Sequence, residues 1–200
     1  AFMNEKNNDI KWSDNVIIAD ADFVDKVAFD LIVNFERMIG RRIPKADMAR
    51  WLVCVALDGG IRNENNDVQV LLIHDASKGV LENFNPGNMA EELNGMAFKD
   101  RLGEFSILTP STAEMVTKQE LICDVLTIAC SHNEVKRIMV IPDDKEGYAQ
   151  VRQTLAKIDD DNKRITLFAM QPMPGGNFRQ EILGYSLMSA LGIKADEIKE

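Results

Sequence analysis

Histidine and cysteine are scarce, two and three among 200 residues. Cys54, Cys123 and Cys130 are odd in number, follow no metal-ligand spacing, and each sits in an apolar run. So few soft ligands argue against a zinc site. Unpaired cysteines in apolar runs read as small buried hydrophobes of a reducing cytoplasm, so a cytoplasmic location is expected. Long apolar runs are also missing: none approaches the ~20 residues a membrane helix needs, and no membrane association is expected. No basic n-region leads into an apolar h-region, so no secretory leader is expected either. Residues 1–11 are polar enough to form a flexible N-terminus. The glycine pairs at 59–60 and 175–176 are not G-x-G-x-x-G after a strand, and no Walker A motif occurs. No nucleotide cofactor is therefore indicated. Ser111, Ser131 and His132 lack a nucleophile-elbow context. Positive charge is in deficit, 23 Lys and Arg against 32 Asp and Glu, a net charge of −9. Such a chain has no overall attraction to phosphate backbones. Nucleic-acid binding would need a local basic patch or bridging metal ions.

What is present is an ordinary globular composition, 46% hydrophobic and 28% charged, long enough for one domain over residues 12–200. "NVIIAD" (15–20) reads as a short buried strand. A helix over 23–39 follows, with Asp22 as its N-cap and Gly40 as its stop. "WLVCVALD" (51–58) and "VQVLLIHD" (68–75), separated by the turn chemistry of "GGIRNENND", read as an antiparallel hairpin. Further strands are expected at 104–110, 136–144 and 164–170, with "GVLENF" as a short one. Helices are expected at about 112–131, 146–158 and 177–192. Strands alternating with helices predict an α/β three-layer sandwich, Rossmann-like or PIN/NYN-like, with a mostly parallel central sheet and an antiparallel hairpin. The apolar final helix fits packing on the sheet or against a second subunit, which leaves a homodimer or a protein partner open.

In an open α/β sheet, ligands bind beyond the carboxyl ends of the parallel strands. Three apolar runs end on acids: "VIIADAD", "VCVALDGG" and "IMVIPDD". If the first and third are parallel neighbours, Asp20, Asp22, Asp143 and Asp144 share one mouth. Asp124, within the apolar "LICDVLTIA", reads as a carboxylate in need of a partner. Clustered carboxylates repel one another and suit Mg²⁺ or Mn²⁺, which takes oxygen ligands and supports phosphodiester hydrolysis. Singly, the same acids fit bland roles: Asp22 and Asp144 as helix caps, Asp58 as the start of a turn. "ERMIGRRIPK" gathers Arg37, Arg41, Arg42 and Lys45 into a local basic patch that could steer RNA, or a solvated helix end. His74–Asp75 after a strand could act as an acid/base pair, or be a turn.

The stretch from "KQELICDVLTIACS" through "KRIMVIPDDKEGY" to "RITLFAM" resembles the C-terminal half of an NYN domain. With the strand ending at Asp20, the order of parts is similar to the PIN/NYN group of metal-dependent ribonucleases. The resemblance implies Mg²⁺ or Mn²⁺ held by Asp20 or Asp22, Asp124, and Asp143 or Asp144, and cleavage of RNA. It departs from the group where "IPDDKEGY" replaces an S-G-D-x-D-F pattern, with Glu146 standing in for the second acid. Lys118 stands about where a second helical aspartate is expected. "ADADFVDKVAFDLIVNFERMIGRRIP" also resembles an uncharacterised bacterial protein family, which implies no function. The sequence thus supports two expectations: a metal-dependent ribonuclease, or a non-catalytic relative that binds a protein or small ligand.

Overall fold

The first strand, β1 (Asn15–Asp20), is buried along its whole length because it lies at the centre of a seven-stranded sheet. The structure is a computed structural model that describes residues 11–113, 115–160 and 162–198. The expected flexible N-terminus lies, apart from Lys11, outside the described residues. β1 pairs in parallel with β3 (Asn66–Ile73) on one side and β7 (Arg137–Ile141) on the other. Beyond β3 lies parallel β6 (Gly103–Leu108), then antiparallel β5 (Ala97–Asp100) at the edge. Beyond β7 lie parallel β8 (Arg164–Ala169) and β9 (Arg179–Ile182). A two-residue strand β2 (Ala46–Asp47) pairs with β4 (Phe84–Asn85) outside the main sheet.

Alternation along the strands divides the apolar side chains between two faces, as a period of two requires. Ile17, Val70, Met139 and Phe168 face a core closed by helices α1 (Ala21–Ile39), α2 (Met48–Asp58) and α5 (Leu183–Ala190). Val16, Ile18, Leu71 and Val140 face a second core under α3 (Lys118–Ser131) and α4 (Tyr148–Ala156). Each fully buried Leu or Ile contributes about 1.5–3 kcal/mol, so both faces hold the sheet. The result is the expected three-layer α/β sandwich with a mostly parallel sheet.

Three sequence expectations change. Residues 51–58 belong to α2, and no hairpin joins them to β3, which runs parallel to β1. Trp51, Leu52, Val55 and Ala56 are buried at helical spacing, and Asp47 caps the helix by accepting from Arg50 N at 3.1 Å. The antiparallel pair is instead β5–β6. The helix expected at 177–192 begins only at Leu183, because 179–182 pairs with the free edge of β8. α3 starts at Lys118, behind a capping box of Thr117 and Glu120. Among the described residues no helix is long and apolar enough to cross a membrane. α5 packs in the core through Leu183 and Leu187, and leaves Tyr185 71% exposed.

Direction decides where a site lies. From β1 the chain winds to β3 and β6, then crosses back under the sheet through α3 to β7 and proceeds outward through β8. The winding reverses between β1 and β7, and the carboxyl ends of those two strands open a crevice there.

Candidate functional site

Asp20 ends β1 at this crevice and is fully buried. Its Oδ1 accepts from Phe23 N at 3.0 Å, so Asp20, not Asp22, caps α1. Asp22 sits in the first turn of α1, where the helix dipole favours a carboxylate, and its Oδ2 accepts from Asp75 N at 2.8 Å. That bond ties the end of β3 to α1 and closes one wall of the crevice.

The cation facing these acids is a side chain. Lys118 Nζ lies 3.3 Å from Asp20 Oδ1 and 3.0 Å from Asp22 Oδ2. Lys118 opens α3, where the positive end of the helix repels an ammonium, so the two carboxylates are what hold it there. Burial pushes the Asp20 carboxyl above its ordinary range, with Lys118 opposing. Burial pulls the Lys118 ammonium down, and Asp20 with Asp22 outweighs it and holds the ammonium above its usual value. Asp20 Oδ2 is buried without a hydrogen-bond partner among the described residues.

Beside Asp22 and Lys118 opens a cleft of about 760 Å³, lined among others by Asp25, Lys26, Lys78, Asp143 and Glu146. Asp25 pins one wall by accepting from the backbone N–H groups of Glu82 and Asn83 at 3.1 and 2.8 Å. Asp143 shares the cleft, but its Oδ1 is turned into a local turn, accepting from Lys145 N and Glu146 N. Asp144 lines the neighbouring cleft of about 390 Å³ and accepts from Met170 N at 3.3 Å; it does not cap α4.

The other sequence candidates lie elsewhere. Asp124 is exposed on α3, in a row with Glu120, Thr127 and Ser131, while Leu121, Ile122, Val125 and Leu126 are buried. It lies ~9 Å along the helix from Lys118 and needs no buried partner. That placement was legible in the helix's own period. Arg37 stands in the last turn of α1, ~22 Å from Asp22 along the axis, and Arg41 and Arg42 follow the Gly40 stop. Arg41 is occupied there, donating to Glu197 at 2.8 and 3.0 Å and to Gly192 O. His74 is buried, its Nδ1 2.9 Å from the carbonyls of Asp75 and Lys78, so it anchors the loop instead of forming an acid/base pair with the Asp75 carboxylate.

The fit to a divalent ion is poor. Asp20 and Asp22 already share an ammonium, Asp143 is engaged by its own turn, and Asp124 is remote. Among the described residues no three His, Cys, Asp or Glu side chains group as metal ligands. A family of unknown function, DUF6621, matches residues 9–198. The chain belongs to the DUF6621 family. No curated protein and no solved structure matches it. For this DUF6621 chain, then, the site rests on geometry. Of the four acids expected at one mouth, Asp22 and Asp143 line this cleft, Asp20 is buried behind Lys118, and Asp144 lies in the neighbouring cleft; the role of Lys118 is not among the sequence expectations. The signal for it was the T-K-Q-E capping box, which sets Lys118 at the first position of α3.

Proposed function

We propose that the crevice between β1 and β7 binds a small polar ligand without a divalent metal, the lysine ammonium standing where a PIN/NYN-like nuclease would need an ion. One observation carries this reading: Lys118 Nζ lies 3.0 and 3.3 Å from the carboxylates of Asp22 and Asp20. A fixed ammonium relieves the repulsion that would otherwise recruit a cation. The cleft's five acids, Asp22, Asp25, Glu82, Asp143 and Glu146, outnumber Lys26, Lys78 and Lys118. That balance favours a ligand carrying an amine or other positive group. Its volume is within the range of small-molecule sites.

A second reading, a metal-dependent ribonuclease, is supported by Asp22 and Asp143 lining one cleft, with Asp20 buried behind Lys118 and its Oδ2 without a donor among the described residues. Calorimetry with Mn²⁺ on EDTA-stripped protein separates the two. The metal-free reading expects no saturable heat from folded wild-type protein. It also expects line broadening of small amines in ligand-observed NMR, reduced in Glu146→Gln. Binding of one or two Mn²⁺ that is lost in Asp20→Asn, with Mn²⁺-dependent RNA cleavage, would overturn it in favour of the nuclease.

A further inference from the structure

At the opposite edge of the sheet, where the parallel strands begin, arginines from separate segments converge. Arg137 opens β7 and is paired in register with Arg164, which opens β8. Thr166, two residues on, is paired with Arg179 at the start of β9. Paired positions and positions two apart share a face, so Arg137, Arg164 and Arg179 emerge on one side of three adjacent strands. A Cβ at Gly60 would lie 2.5 Å from Arg137 Nη1 and 3.7 Å from Arg179 Nη1, which shows how closely the two guanidinium groups approach. The absence of a side chain at Gly60 makes room for them.

Between these residues lies a cleft of about 530 Å³ whose charged lining is Arg137, Lys163, Arg164 and Arg179, with no carboxylate among its described lining residues. In a chain of net charge −9, such a concentration of one sign is a built feature. Structural duties account for part of it. Arg137 Nη1 donates to Gly59 O at 2.8 Å, and Lys163 Nζ to the carbonyls of His132 and Val135. Arg62 donates to the carbonyls of Leu57, in the last turn of α2, and of Ile61. Among the described residues Arg179 pairs with Glu181 alone, at 3.3 Å, and Arg164 has no ion pair. Burial, then Arg164, Arg179 and Arg62, hold Arg137 below its ordinary value, while Glu181 offsets Arg179 and Asp160, at 3.8 Å, offsets Lys163.

We propose that this cleft is a binding site for a phosphate-bearing ligand, gripped by Arg164 and Arg179 and backed by Arg137. Guanidinium forks match phosphate oxygens two at a time, and an anion would relieve the like-charge crowding. The phosphates belong to a small phosphorylated molecule or to a nucleic-acid backbone, which present the same groups. The site is independent of the crevice between β1 and β7.

The test uses wild-type protein, Arg164→Gln and Arg179→Gln, with inorganic tripolyphosphate in calorimetry and a short single-stranded RNA in fluorescence anisotropy. Arg164 and Arg179 are exposed, so both variants should melt at or near the wild-type temperature. Saturable tripolyphosphate binding, weakened about tenfold or more in each variant, is the expected result. RNA binding that tightens with length and falls steeply with salt, weakened in the same variants, would assign the phosphates to a nucleic acid. RNA no tighter than tripolyphosphate would assign them to a small molecule. Wild-type protein that is folded and binds neither probe, or binding unchanged in both variants, would overturn the proposal.

Discussion

Lys118 Nζ lies 3.3 Å from the Asp20 carboxylate across 98 positions of sequence, joining the first turn of α3 to the end of the central strand. Asp20 is fully buried and the Lys118 side chain 19% exposed, so the two charges neutralise each other in a poorly solvated place.

Removing the lysine should therefore leave a buried charge. Lys118→Met is expected to lose about 2–4 kcal/mol of stability near neutral pH. Without its counter-charge the Asp20 carboxyl, already raised by burial, rises further. A carboxyl raised in the folded state contributes stability in its protonated form. That contribution is present at low pH and is lost as pH climbs through the folded value. The variant should regain stability on acidification, relative to wild type, and Asp20→Asn added to it should restore much of the loss at neutral pH. Urea unfolding at about pH 5 and 7.5 checks both; a deficit independent of pH would show the lysine acts by packing alone.

Asp58, the last residue of α2, offers a second titration. Burial first, and then Glu181, push its carboxyl from 3.8 to about 6, against the pull of Arg62. The neutral form favours folding, so this contribution is intact below about pH 4 and is lost as pH rises through about 6. Partial exposure screens the effect to about 1 kcal/mol. Asp58→Asn should be more stable than wild type by that amount near pH 7.5 and equal to it near pH 4. Denaturant midpoints at the two pH values decide the matter.

Gly103 and Gly192 both hold positive φ, 141° and 72°, yet should respond differently to alanine. A Cβ on Gly103 would collide with the backbone of Asn66 at the start of β3, whereas one on Gly192 meets nothing within 4 Å. Gly192→Ala should cost only the left-handed conformation, about 1 kcal/mol. Gly103→Ala should cost about 3 kcal/mol or more, because β3 and β6 must separate to admit it. Melting curves that rank the two variants the other way would overturn this expectation.

By itself the sequence determined the layered α/β class. Apolar runs such as "NVIIAD" and "RIMVI" alternate with helical periods, and only a parallel sheet covered on both faces buries both patterns. It also showed apolar strands ending on acids at Asp20 and Asp143, whereas their meeting depends on β1 and β7 being parallel neighbours, which the tertiary structure decided. The character of 51–58 needed the tertiary structure. A segment apolar at nearly every position carries no contrast from which to read a period, and its packing against α5, in the core shared with the sheet, selects the helix. The strand at 179–182 exists because β8 presents a free edge, which no local preference encodes. Asp124 was readable from the spacing of its neighbours, whereas the bond of Lys118 to Asp20 and the meeting of Arg137, Arg164 and Arg179 were not. Those encounters depend on how crossovers order the strands, a long-range outcome of packing that the identities of the residues do not contain.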